Sequence, residues 1–133
     1  MNAFIVEVEN RPGTMAQVTE AVAAKGVNIL VLTVGYDDRG AVAFVCNDEG
    51  GARSGLEEAG LPFRESPVVL IGMEDKPGQS AAAARKLADG RVNIEFWMPV
   101  DTSKDRFTVA VGVDNEGAAR QALSDHLIDW TYA

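Results

Sequence analysis

Glu9-Asn10-Arg11-Pro12-Gly13 recurs as Glu74-Asp75-Lys76-Pro77-Gly78, and Val27-Asn28-Ile29 recurs as Val92-Asn93-Ile94. One constant offset relates every position, without a gap. A period this long marks two copies of one supersecondary unit. In the first copy an apolar run, Phe4 to Val8, leads into the motif. Proline lacks an N–H and fixes φ, while glycine permits a sharp change of direction. The strand must therefore end and the chain must turn. Thr14 and Gln17 follow at capping-box spacing, which predicts a helix start. Free N–H groups and the positive end of the helix dipole would then face the loop, where a carboxylate can sit. A plain capped turn explains one copy equally well. It does not explain why Asn also returns at the start of the next strand.

Working outward, the patterning predicts a strand over 3–9, a helix over 14–25 closed by Gly26, and a strand over 28–36. A turn at Asp37-Asp38-Arg39-Gly40 leads to a strand over 41–47, a weak helix over 49–59 and a strand from Phe63. The second copy predicts strand 68–74, helix 79–89, strand 92–100, a turn at 101–104, strand 106–113, helix 115–126 and a last strand over 128–132. Each unit reads βαββαβ, the split-βαβ or ferredoxin-like pattern. The expected fold is α+β, with two tandem domains, 1–66 and 67–133, and antiparallel sheets.

Both copies resemble the ACT domain, a small ligand-binding module of amino-acid metabolism. The first motif is similar to the regulatory domain of phosphoglycerate dehydrogenase and to the small subunit of acetolactate synthase. Over nearly its whole length the chain resembles the short stand-alone tandem ACT proteins. The resemblance implies a non-catalytic regulatory protein that binds small ligands, amino acids above all, at interfaces between modules. The implied contacts are Asn10, Pro12, Gly13 and Thr14 in the first loop with Asn28 and Ile29 of the following strand. Their counterparts are Asp75, Gly78, Gln79, Asn93 and Ile94. A side-chain amide donates and accepts, so one Asn can hold either end of a zwitterion. Asn28 and Asn93 read equally as strand-start residues bonded to their own loops. The dehydrogenase domain carries a His two residues before the loop Asn; Val8 and Met73 stand there here, so serine specificity is not carried over. Asp75, acceptor-only when ionised, would hold an ammonium and repel a carboxylate. The alternative is a regulatory subunit docking on an amino-acid biosynthetic enzyme of the acetolactate synthase or aspartate kinase type.

Composition narrows the classes. The net charge of −8 is spread over both halves, which argues against nucleic acid and anionic membranes as partners. Arg11 and Lys76 read as isolated, solvated cations. No apolar run is long enough to span a membrane. The start, Met1-Asn2-Ala3-Phe4-Ile5, lacks a basic region and predicts no secretory leader. The single cysteine, Cys46, fits a reducing cytoplasm and reads as a buried, inert thiol. His126, the only histidine, reads as a cap near the end of a surface helix. No spacing supports a metal, a cofactor or a catalytic set, and Asp37-Asp38 and Glu57-Glu58 read as solvated charges. Phe96 and Trp97 replace Val31 and Leu32 of the first copy, either as packing or as a pocket wall. The two strands over 28–36 and 41–47 are apolar on both faces, which predicts burial on both, the helix-free side or an edge meeting the other unit or another chain. A small unit of this size is marginal alone, so a homodimer is expected.

Overall fold

The computed structural model describes residues 1–132. Its order is β1 (Asn2–Glu9), α1 (Thr14–Ala23), β2 (Ile29–Tyr36), β3 (Arg39–Cys46), α2 (Glu49–Glu58), β4 (Arg64–Glu74), α3 (Gln79–Asp89), β5 (Ile94–Ser103), β6 (Arg106–Val113) and α4 (Glu116–Ala122). The class is α+β with the βαββαβ repeat and antiparallel pairing. The chain divides into two compact units. One is Asn2–Glu65 with Thr131 and Tyr132, the other Met1 with Ser66–Trp130. No helix among the described residues is long and apolar enough to cross a membrane.

In the N-terminal unit the strands run β2-β3-β1, with Phe4 opposite Phe44 and Val31 opposite Phe44. Alternation puts Phe4, Val6, Val42 and Phe44 on one face. There they pack against Val18 and Val22 of α1 and Ala52 and Leu56 of α2. The Phe4 and Phe44 rings stack 5.2 Å apart. Helices α1 and α2 cross closely because Gly55 lies against the Ala21 carbonyl, where a Cβ would meet the oxygen at 2.5 Å. Asp48 caps α2 by accepting from Gly51 N–H at 3.0 Å. Cys46 is buried, and that burial pushes its thiol pKa up, as an inert thiol requires.

The C-terminal unit repeats this as β4-β6-β5. Val69, Ile71, Met73, Val109, Val111 and Val113 pack against Ala83 and Leu87 of α3 and Ala119 and Leu123 beside α4. Trp97 packs against this core. The Phe96 ring lies on the opposite face over Gly112, filling the space a Cβ there would need. Both aromatics therefore pack against their own unit.

Three local expectations are corrected. The helix expected over 115–126 ends at Ala122. Leu123 and Leu127 are four apart and mimic a helical period, yet they belong to a turn and the segment after it. His126 accordingly lies outside the helix. Its N–H donates to Leu123 O at 2.8 Å and its carbonyl accepts from Gly72 N at 2.9 Å. The last strand expected over 128–132 is not formed; pairing comes earlier, as a single bridge between Ile71 and Leu127. The strand from Phe63 and the strand over 68–74 are one strand, β4. Pro67 does not break it.

One ion pair ties the N-terminal unit shut. Arg53 grips Glu65 through Nε (2.9 Å) and Nη2 (2.7 Å), and Asn2 Nδ2 adds 3.3 Å. The hydrogen bond from Arg53 holds the Glu65 carboxyl below its ordinary pKa. This contribution is present above the unfolded carboxylate range and is lost as pH falls through the lowered folded value. Glu65→Gln is therefore expected to flatten the acid limb of stability against pH, with little change in acid once the wild-type carboxyl is also protonated. Urea midpoints across the acid range measure it; parallel wild-type and mutant curves would contradict it.

Candidate functional site

The two Pro-Gly loops are built alike, nearly bond for bond. Arg11 N–H donates to Glu9 O and Lys76 N–H to Glu74 O, both at 3.0 Å. Arg11 pairs with Glu9 at 2.7 Å and Lys76 with Glu74 at 3.0 Å, so both loop cations are engaged locally. The Lys76 hydrogen bond lowers the Glu74 carboxyl pKa. Gly13 and Gly78 sit at φ 91° and 90° as the residues that open α1 and α3. Only glycine takes that conformation freely.

These glycines overturn the expected capping box. Gly13, not Thr14, is the N-cap, and no side chain caps the helix. Thr14 is already helical, and its hydroxyl donates to Arg11 O at 3.2 Å. The left-handed glycine starts the helix one residue early, carrying Thr14 past the capping position. The N–H groups of Met15 and Ala16, and of Ser80 and Ala81, have no partner among the described residues. An anion can be received at both helix mouths.

Asn10 is tied to the far end of β2. Its N–H donates to Asp38 O at 3.0 Å, its Nδ2 to Asp37 O at 2.9 Å, and its side chain fills the space over Gly35. Asp75 N–H donates to Asp105 O at 2.6 Å. Asn28 and Asn93 stand at the opposite ends of the corresponding strands. Each is exposed, and its side chain makes no hydrogen bond among the described residues. Their backbones are held by residues that the sequence reading missed. Asn28 N–H donates to Asn47 Oδ1 at 3.0 Å, and Asn93 N–H to Asp114 Oδ1 at 2.9 Å. The signal was a side-chain acceptor just past β3 and again just past β6. Ile29 and Ile94 pack against the two cores. Pro12 and Gly13 are exposed, Thr14 and Gln79 half-buried, and Gly78 exposed.

Asn10 and Asn28 of one chain are thus not brought together. Seven residues separate Asn28 from Gly35, about 23 Å along a strand. What connects them is the edge of β2, which among the described residues pairs only with β3. Among the described residues no group of three His, Cys, Asp or Glu side chains is placed to hold a metal.

Solved structures share this architecture. A protein of Bacteroides thetaiotaomicron matches with a TM-score of 0.76 at 21% identity, over 93% of this chain and 86% of that one. The ligand-free regulatory subunit of aspartate kinase from Thermus thermophilus matches with 0.64 at 21% identity, over 93% and 89%. Its Thermus flavus counterpart matches with 0.62 at 22%, over 93% and 91%. No curated protein matches in sequence. The doubled units, the twin Pro-Gly helix mouths and a family match over residues 1–130 agree: the chain belongs to the ACT domain pair family.

Proposed function

We propose that the protein is a non-catalytic sensor of small amino acids that acts as a homodimer joined along β2. The observation that carries this reading is the β2 edge. Ile29–Tyr36 pairs with β3 in unbroken register and carries no charge and no proline. Leu32, Val34 and Tyr36, all on the helix-free face, are 38%, 60% and 78% exposed. Natural edge strands are normally blunted by charge, proline or bulges. β5 is blunted in this way, with Glu95, Pro99, Asp101 and two register shifts.

An antiparallel pair of β2 edges lays the start of one strand beside the end of the other. The partner's Asn28 then approaches Gly35, where Asn10 is fixed and where the helix mouth opens nearby. The ligand's carboxylate would meet the N–H groups of Met15 and Ala16. The two amide side chains would take its ammonium. Two equivalent sites per dimer follow. Asp75 and Asn93 form the second candidate pair, but β5 gives them a poorer edge, so the N-terminal pair binds first. Such a site regulates only if the ligand binds one conformation or assembly state better than another.

A thermal-shift screen against the twenty amino acids tests this. A ligand at about 100 times its dissociation constant stabilises by about 2.7 kcal/mol. Asn28→Ala is expected to remove most of the shift, and Asn93→Ala little of it. Equal loss from both variants would mean that the two pairs act alike. No shift with any amino acid, together with an enzyme co-purifying on the same β2 edge, would favour the docked regulatory subunit. The regulatory subunits of aspartate kinase among the structural neighbours keep that second reading alive.

A further inference from the structure

The two units differ at one place on the helix-free face, beside the β2–β3 and β5–β6 hairpins. In the first unit, strand register aligns Glu7, Ala41 and Val34 in one row and Glu9, Arg39 and Tyr36 in the next. In the second it aligns Gly72, Thr108 and Asp101, then Glu74, Arg106 and Ser103. The second unit has Gly72 in place of Glu7 and Asp101 in place of Val34, and it carries the Thr108 and Ser103 hydroxyls beside its arginine. Both places are concave. Glu7, Glu9, Asp38 and Arg39 line the first, three carboxylates around one guanidinium. Gly72, Asp101, Ser103, Arg106 and Thr108, walled by Phe107 and Ile128, line the second, a crevice of about 100 Å³.

The Arg106 side chain makes no hydrogen bond or salt bridge among the described residues, and its charge acts on Glu74 only at a distance. The acid opposite it, Glu74, is bonded to Lys76 at 3.0 Å. A Cβ on Gly72 would stand 3.6 Å from Arg106 Nη2, so the guanidinium lies over bare backbone. A guanidinium whose N–H groups have no hydrogen-bond partner, flanked by two hydroxyls, is an anion receptor. Asp101, in the row beside it, accepts a proton donor. The volume holds about three waters' worth of liquid, which suits an acid of two or three carbons.

The geometry points to a second ligand site in the C-terminal unit: Arg106, Ser103 and Thr108 bind the carboxylate of a small acid, and Asp101 takes the amino or hydroxyl group on its adjacent carbon. This crevice opens on the helix-free face beside the loop where Asp75 N–H donates to Asp105 O, and the C-terminal unit alone lines it. The matching place in the first unit, crowded with acids, binds no anion.

The test is side-chain and backbone NMR of the isotope-labelled full chain, titrated with L-alanine, L-lactate, propionate and inorganic phosphate. Alanine or lactate is expected to shift the Arg106 Nε–H signal and the amides of residues 72 and 101–108. Propionate, lacking the donor, is expected to bind more weakly. Losing a charge-assisted hydrogen bond weakens binding about tenfold or more. Arg106→Gln should therefore abolish these shifts, Thr108→Val should weaken them, and Arg39→Gln, Asn28→Ala and Asn93→Ala should leave them intact. Unchanged melting temperatures exclude misfolding of the variants. Silence of the Arg106 signal toward all four compounds would overturn the site. Binding of phosphate alone would overturn the amino- or hydroxy-acid assignment. Shifts lost in Asn93→Ala but kept in Arg106→Gln would return the ligand to the loop.

Discussion

Phe44→Ala is expected to remove about 3–5 kcal/mol of stability, the ordinary cost of deleting a buried phenyl ring. Phe44 is fully buried, and its ring stacks on Phe4. Strand register also sets it opposite both Phe4 of β1 and Val31 of β2. The cavity therefore opens at the centre of the sheet, where neither helix can collapse into it without leaving the other. A unit of this size commands about 3–10 kcal/mol in total, so most of the margin goes. Native-state hydrogen exchange checks it unit by unit. Amides of β1 and β3 should lose protection, and those of β6 should keep more of it. Phe44→Leu, which keeps most of the volume, should cost less than half as much. A loss below about 1 kcal/mol would mean that the ring is not the centre of that core.

Much of this was legible because the repeat reports itself. The Pro-Gly turn, the glycine after the first helix and the alternation in β1 and β3 are local signals, each with one physical solution. Where two solutions share a pattern, the sequence does not choose between them. Leu123 and Leu127 satisfy a helical period and also a turn that feeds a bridge. Thr14 and Gln17 satisfy a capping box, but only if the preceding glycine is not itself the cap. Arg91 takes φ 58° where the first copy has Gly26 at 69°; nothing in the type of residue announces that. The apolar run of β2 reads as buried on both faces against another unit or another chain; within this one chain its outer half is exposed. Sequence records that a face is apolar, but the topology decides whether anything in the same chain covers it. The proposed site is less legible still, because its two asparagines lie at opposite ends of one strand and would meet only across a two-fold axis.

Val34→Lys is expected to dissociate the proposed dimer. Val34 is 60% exposed near the end of β2, and two-fold symmetry places every substitution in the interface twice. If each copy loses about 1.5 kcal/mol of buried valine contact, the dissociation constant rises roughly 100-fold. The added lysine also blunts the strand edge, in the way natural sheets discourage pairing. Sedimentation at micromolar concentration should show a dimer for the wild type and a monomer for the variant. Val100→Lys on β5, an edge already broken by Pro99 and a register shift, should change nothing. The decisive measurement combines assembly with binding. Asn10, Asn28 and the α1 helix mouth are all untouched in Val34→Lys, yet its amino-acid thermal shift should fall with the dimer, because each site needs Asn28 from the other copy. A monomeric variant that still binds would place the whole ligand site within one chain. A variant that stays dimeric would move the interface off β2, and with it the only route by which the two asparagines can meet.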